Sequence, residues 1–178
     1  TGIYQQVTGL PANQVFGTGT YLDTARLKRS LGDALNVDPR SIQGYMLGEH
    51  GDSQFAAWST VRVLGQKADE LVTNYHLDLD AVANDARVGG FTVFSGKKYT
   101  NFAIAHAAVS LAQLVLSDAH NEAIVSHYDA RFAGYISTPA IIGRSGVVAN
   151  FELTLTADEQ RALQQSANAI AEKTAAYL

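Results

Sequence analysis

The residues best suited to chemistry lie in one short stretch, Gly48-Glu49-His50-Gly51-Asp52-Ser53, directly after the apolar run from Ile42 to Leu47. Gly48 and Gly51 let the backbone leave a strand and turn sharply, which places the imidazole at an open strand end and not inside the core. Histidine titrates near neutral pH, so His50 can give or take a proton within a reaction cycle. A lone histidine in a turn is more often a satisfied structural residue. Its weight rises with an upstream segment, Leu22-Asp23-Thr24-Ala25-Arg26-Leu27. Residues three apart share a helix face, so Asp23 and Arg26 can point into one cleft. A carboxylate beside one ring nitrogen fixes the tautomer and stabilises the imidazolium, while the other nitrogen meets substrate. A guanidinium is a planar fork that binds a carboxylate bidentately. Together the three describe a site for a small acid with an oxygen next to its carboxylate. The plainer alternative is an ordinary i,i+3 surface pair, worth roughly a few tenths of a kcal/mol.

The elements that must position these groups follow from periodicity and breakers. Residues 1–8 read as a helix ended by Gly9, with Pro11 barring continuation, and Gln14-Val15-Phe16 as a short extended piece. Thr20 or Asp23 caps a helix with apolar residues at Leu27, Leu31 and Leu35, stopped by Asp38-Pro39. Residues 42–47 read as one strand leading to His50, and 56–64 as a second extended segment. The helical spacing of 78–94 is bent or interrupted at Gly89-Gly90. The helix at 100–118 is so apolar that it should be buried on most sides. Strands follow at 123–128 and 134–138, then a hairpin of Ala140-Ile141-Ile142 and Val147-Val148-Ala149 around Gly143-Arg144-Ser145-Gly146. Thr156-Ala157-Asp158-Glu159 reads as a capping box that opens a last helix reaching Leu178. This succession predicts a single α+β domain over 1–178 and not a doubly wound sheet.

The order Gly17-Thr18-Gly19-Thr20-Tyr21-Leu22-Asp23-Thr24-Ala25-Arg26, followed by Leu47-Gly48-Glu49-His50-Gly51-Asp52-Ser53, resembles the L-lactate/malate dehydrogenase family. The likeness is to its lactate side, nearest the L-2-hydroxyisocaproate dehydrogenases of lactic acid bacteria. Lys98-Tyr99-Thr100 and Pro139-Ala140-Ile141-Ile142-Gly143 extend it along the chain. The resemblance implies the C-terminal, substrate-binding and catalytic domain of an NAD-dependent L-2-hydroxy acid dehydrogenase, with residues 1–17 left over from the interdomain connection. It implies His50 as proton donor and acceptor, Asp23 as its partner and Arg26 as anchor of the substrate carboxylate. Thr100 would border the substrate pocket, and Ile104 the nicotinamide. Malate dehydrogenase, and a non-catalytic scaffold retaining the fold, are the alternatives. The family's homo-oligomers, tetramers among them, and its cytoplasmic setting are expected of the complete protein.

In that family the nucleotide-binding half precedes the region matched here. No Gly-x-Gly-x-x-Gly follows a strand in this chain, and Gly17-Thr18-Gly19 is too short and lacks the strand-to-helix context. The chain alone is therefore expected neither to hold a dinucleotide in the usual way nor to be active. Its opening on Thr1, as a helix already under way, suggests a fragment. Family members activated by a sugar bisphosphate carry an arginine two residues after the anchor and a histidine seven before the catalytic one. Lys28 and Gln43 stand there, which speaks against such activation.

Composition narrows the rest. The 178 residues are 47% hydrophobic and 17% charged, enough for one sizeable core. A net charge of -4 without a basic cluster argues against nucleic acid. The apolar run 102–116 is too short to cross a bilayer. With no cysteine there is neither a disulfide framework nor a thiolate metal site. His76, His106, His120 and His127 are dispersed and lack the spacing of a zinc site, so structural or solvated roles are expected for them. Ser53 beside His50 raises a hydrolase reading, but the Gly-x-Ser-x-Gly elbow is missing.

Overall fold

In the computed structural model, which describes residues 1–177, helix α1 (Gly2–Thr8) ends as Gly9 turns left-handed. A short 3-10 turn at Ala12–Gln14 leads to α2 (Tyr21–Leu35), whose Leu27 and Leu31 are completely buried. Thr20 is the N-cap residue, yet its hydroxyl does not cap. It donates instead to the carbonyl of Met46, 2.6 Å away.

The single strand expected at 42–47 is two strands in different sheets. β1 (Ile42–Gln43) and β2 (Met46–Leu47) are separated at Gly44, whose φ of 143° a side chain rarely adopts. β2 pairs with β3 (Phe55–Ala56), while β1 pairs with β4 (Arg62–Val63), which turns back to β5 (Gln66–Lys67). The extended segment expected at 56–64 is interrupted by a 3-10 turn, Trp58–Thr60. Helix α3 (Ala68–Tyr75) has no counterpart in the sequence reading, because its only buried positions are Ala68 and Leu71, too few to set a period.

Helix α4 (Leu79–Lys97) passes through Gly89-Gly90 without a break. Two glycines cost a helix about 1 kcal/mol each, and packing against α2 offsets this. Helix α5 (Phe102–Leu116) departs from expectation more clearly. Only Ala107 and Leu111 are buried, whereas Phe102 and Leu116 are each 78% exposed, because α5 meets α2 and the sheet with one face only.

β6 (Asn121–Asp129), β7 (Gly134–Gly143) and β8 (Gly146–Asn150) form an antiparallel sheet, and α6 (Ala157–Ala175) begins with the Thr156–Glu159 capping box. The hairpin at 143–146 is where the sequence placed it, and the α+β architecture holds. β7 is longer than the two pieces expected, since Pro139 lies inside it. Along a strand the N–H groups of 137, 139 and 141 face one edge. Ser137 uses that edge to pair with Gly48, and Ile141 uses it to pair with β8. Pro139 stands between these partners, so its missing N–H costs no ladder bond.

This sheet carries the site. Ser126 of β6 lies opposite Ser137 of β7, Gly17 bridges to Ser126, and Gly48 bridges to Ser137. The two chain segments that lead to Asp23 and His50 are thus pinned to one rung of a hairpin. Gly19, at φ +47°, sits against that rung, and a Cβ there would collide with Ser137 Oγ and Ser126 N. Gly19→Ala is expected to destabilise the protein by about 3 kcal/mol or more, combining the left-handed backbone with overpacking. Denaturant unfolding with an unchanged slope measures it, and a loss under about 1 kcal/mol would mean the segment is not held this tightly.

Candidate active site

Asp23 comes from the first turn of α2, and the register of that helix is fixed from both sides. Leu27 and Leu31 seat it in a core with Ile42 and Met46. Thr24 Oγ1 accepts from the Met46 backbone N–H at 3.0 Å, which locks α2 to β2, the strand that runs into Gly48 and His50. The Asp23 carboxylate is completely buried and reaches two partners. Its Oδ2 lies 2.6 Å from His50 Nδ1, and its Oδ1 accepts from Arg26 Nη1 at 2.9 Å. A buried carboxylate persists only when paired, and here each oxygen has a cationic or N–H partner.

His50 remains accessible, with 60% of its side chain exposed. Accepting at Oδ2 makes Nδ1 the protonated nitrogen, so Nε2 is free to exchange a proton; it has no hydrogen-bond partner among the described residues. The hydrogen bond to Asp23 raises the His50 pKa above its ordinary value. Burial opposes that shift, the Asp23 charge adds to it, Arg26 opposes it and Glu49 assists.

Arg26 is 19% exposed and lies along α4 where the two glycines occur. A Cβ at Gly89 would stand 3.0 Å from Arg26 Cδ, and one at Gly90 3.4 Å from Nη1. The glycine pair thus clears a channel for the guanidinium. Gly89-Gly90, expected to bend or interrupt the helix, instead give room to a side chain from α2; the signal for this role is two glycines inside an otherwise helical pattern.

His50 lines a cavity of about 580 Å³ between α1 and α6, floored by Gly17–Gly19 and the Ser126–Ser137 rung. Thr100 is exposed between α4 and α5, and Ile104 is 39% exposed in the first turn of α5. Neither lines this cavity, and of the three central residues only His50 does; Asp23 and Arg26 lie outside it. Ser53 does not address His50. Its hydroxyl donates to Glu49 Oε2 at 2.7 Å, which removes the geometric basis for a serine–histidine dyad.

The other histidines are apart from the site. His127 is buried, bonded through Nε2 to Thr138 Oγ1 (2.9 Å) and through Nδ1 to the Tyr128 carbonyl (3.1 Å), and burial lowers its pKa. His106 is exposed on α5, contrary to the burial expected of that helix; His76 caps α3, and His120 lies 3.3 Å from Asp118.

A family model described as the lactate/malate dehydrogenase alpha/beta C-terminal domain matches residues 20–176. The chain belongs to the lactate/malate dehydrogenase family. Among curated members it is 38% identical over 170 residues to L-lactate dehydrogenase 3 of Bacillus anthracis, a match covering 90% of this chain and 54% of that protein. With L-lactate dehydrogenase 1 of Lactobacillus acidophilus it shares 35% over 174 residues, covering 94% and 54%. The minor L-lactate dehydrogenase of Enterococcus mundtii, solved with ligands bound, superposes with a TM-score of 0.89 at 33% identity, covering 94% of this chain and 56% of that one. The chain spans about half the length of the family members it matches.

Proposed function

We propose that the chain is the substrate-binding and catalytic domain of an NAD-dependent L-2-hydroxy acid dehydrogenase of the L-lactate type, interconverting a 2-oxo acid and its 2-hydroxy acid. The observation that carries this reading is the fully buried Asp23, one oxygen on His50 and the other on Arg26, which joins a proton carrier and a carboxylate anchor through a single side chain. The family members named L-lactate dehydrogenase support it over a malate enzyme or a scaffold.

Residues fit the two ends of the cofactor unequally. Gly17-Thr18-Gly19 is shorter than a diphosphate-binding glycine loop and does not follow a strand into a helix in the way such a loop does. This chain would contribute at most the nicotinamide side, through Ile104, with the remaining contacts coming from a nucleotide-binding half joined through residues 1–17. A bound NADH supplies the hydride.

The reacting groups of the chain itself divide the remaining work. Arg26 holds the carboxylate of the 2-oxo acid; the border role expected of Thr100 rests on the family resemblance, since Thr100 lies outside the cavity that His50 lines. His50, protonated, donates from Nε2 to the carbonyl oxygen, and Asp23 stabilises the imidazolium before the transfer and keeps the ring oriented after it. In the oxidising direction neutral His50 takes the hydroxyl proton back. A cytoplasmic homo-oligomer, a tetramer in the first instance, is the proposed setting. The exposed Phe91, Phe94 and Phe102 support further protein burial, and no helix among the described residues is long and apolar enough to cross a membrane.

The test is NADH consumption with pyruvate and with a branched six-carbon 2-oxo acid. The full-length polypeptide is expected to turn over at least one of them, and the isolated 178-residue chain neither. No turnover by the full-length protein refutes the reading. Turnover by the isolated chain refutes the division of cofactor contacts.

A further inference from the structure

Glu49, the residue before His50, is tied to α6 in a way nothing in the sequence announced. Its backbone N–H donates to Ser166 Oγ at 2.6 Å. Ser53 Oγ lies 2.9 Å from that same oxygen and donates to Glu49 Oε2, while Lys173 Nζ meets Glu49 Oε1 at 2.5 Å. Ser166 is completely buried, and its neighbours Leu163 and Ala167 pack with Leu47 of β2, which fixes the height of α6 over the loop. The approach is close enough to demand glycine at 48. At φ +96° its absent Cβ would fall 2.5 Å from Ser166 Oγ.

We infer that Ser166 is a positioning residue for the proposed reaction: its buried hydroxyl holds the Glu49 peptide and thereby the direction in which the loop presents His50 to Asp23 and to substrate. The inference rests on His50 being the proton carrier. Without the hydroxyl, the Glu49 N–H loses its acceptor in a partly buried place, and the loop is drawn toward water to recover one. The 2.6 Å contact between His50 and Asp23 is what such a shift lengthens. The plainer possibility is that Ser166 merely helps α6 to pack. The two differ in what they do to chemistry, because Ser166 touches neither Arg26 nor Asp23.

The decisive experiment compares Ser166→Ala with Leu163→Ala, which loosens α6 without cutting the Glu49 bond, in the full-length enzyme. Ser166→Ala is expected to lower kcat about tenfold or more, since misplacement of a reacting group by about 1 Å costs up to roughly a hundredfold. KM for the 2-oxo acid should change by less than about threefold. The pH midpoint assigned to His50 should fall toward the ordinary histidine value. The groups facing that imidazole are Asp23 and Arg26 from α2 and Glu49 from its own loop, with Lys173 of α6 and Asp52 behind Glu49. Leu163→Ala should lose stability with its midpoint in place. Equal losses of stability in both variants, with kcat and midpoint unchanged, overturn the inference. If Ser166→Ala does not fold, Ser166→Cys keeps the volume but puts a much weaker acceptor opposite the Glu49 N–H: a downward midpoint shift supports the inference and an unmoved one overturns it. Should the parent protein consume no NADH with any 2-oxo acid, the proposed reaction falls. NMR titration of the His50 ring in parent and variants then decides the positioning alone, by the same shift or its lack.

Discussion

Asp23→Asn in the full-length enzyme is expected to lower kcat for 2-oxo acid reduction by about a hundredfold or more, up to the roughly ten-thousandfold loss known where the acid behind a catalytic histidine becomes an amide. The side chain keeps its shape but loses its charge in a place with no solvent to compensate. An amide that keeps its oxygen on His50 Nδ1 must turn its NH2 toward Arg26, donor against donor; one that turns the other way opposes His50 with a donor. The imidazolium loses its support in either case.

The pH profile gives this prediction a sign. In the proposed reaction reduction needs protonated His50, so activity is expected to be full at low pH and to fall as pH rises through the His50 midpoint, which Asp23 holds above the ordinary histidine value. Removing the carboxylate moves the midpoint down, so the variant is most deficient at the upper end of the parent's working range. Stability carries the same sign. A histidine whose folded pKa is raised contributes stability that is fully present below its unfolded value, about 6.5, and lost as pH rises through the folded value. Asp23→Asn should flatten that part of the stability curve. A variant with parental kcat and an unmoved midpoint would remove Asp23 from the mechanism.

Arg26→Lys is expected to reduce kcat/KM by roughly 30- to 1000-fold, or about 2–4 kcal/mol, because a point charge replaces a bidentate fork. Arg26 is mostly buried, steered by Asp23 Oδ1 and accommodated by Gly89 and Gly90. A lysine ammonium has no second N–H in the plane with which to satisfy both Asp23 and a substrate carboxylate. The control is a 2-oxo substrate whose carboxylate is masked as an amide. Parent and variant should handle it almost alike, since the anchor has nothing to grip. An equal loss on both substrates would point to collapse of the α2–α4 contact and not to a lost anchor.

What the sequence by itself determined is what short-range physics governs. The Gly48–Ser53 turn, the i,i+3 spacing of Asp23 and Arg26, the Thr156–Glu159 capping box and the hairpin at Gly143–Gly146 each need only neighbours along the chain, and each lies where periodicity and turn chemistry put it. The family likeness rested on the same local motifs, and the match over residues 20–176 agrees with it. Contacts between residues far apart in the chain were decided by tertiary structure alone. The Gly17–Ser126–Ser137–Gly48 rung, the burial of Asp23, the channel that Gly89 and Gly90 open for Arg26, and the grip of Ser166 on Glu49 from 117 positions away have no periodic signature. The same reason explains the misread elements. The apolar run at 42–47 could not show that Gly44 sends its halves to different sheets, and the apolar circumference of α5 could not show which of its faces this chain would cover.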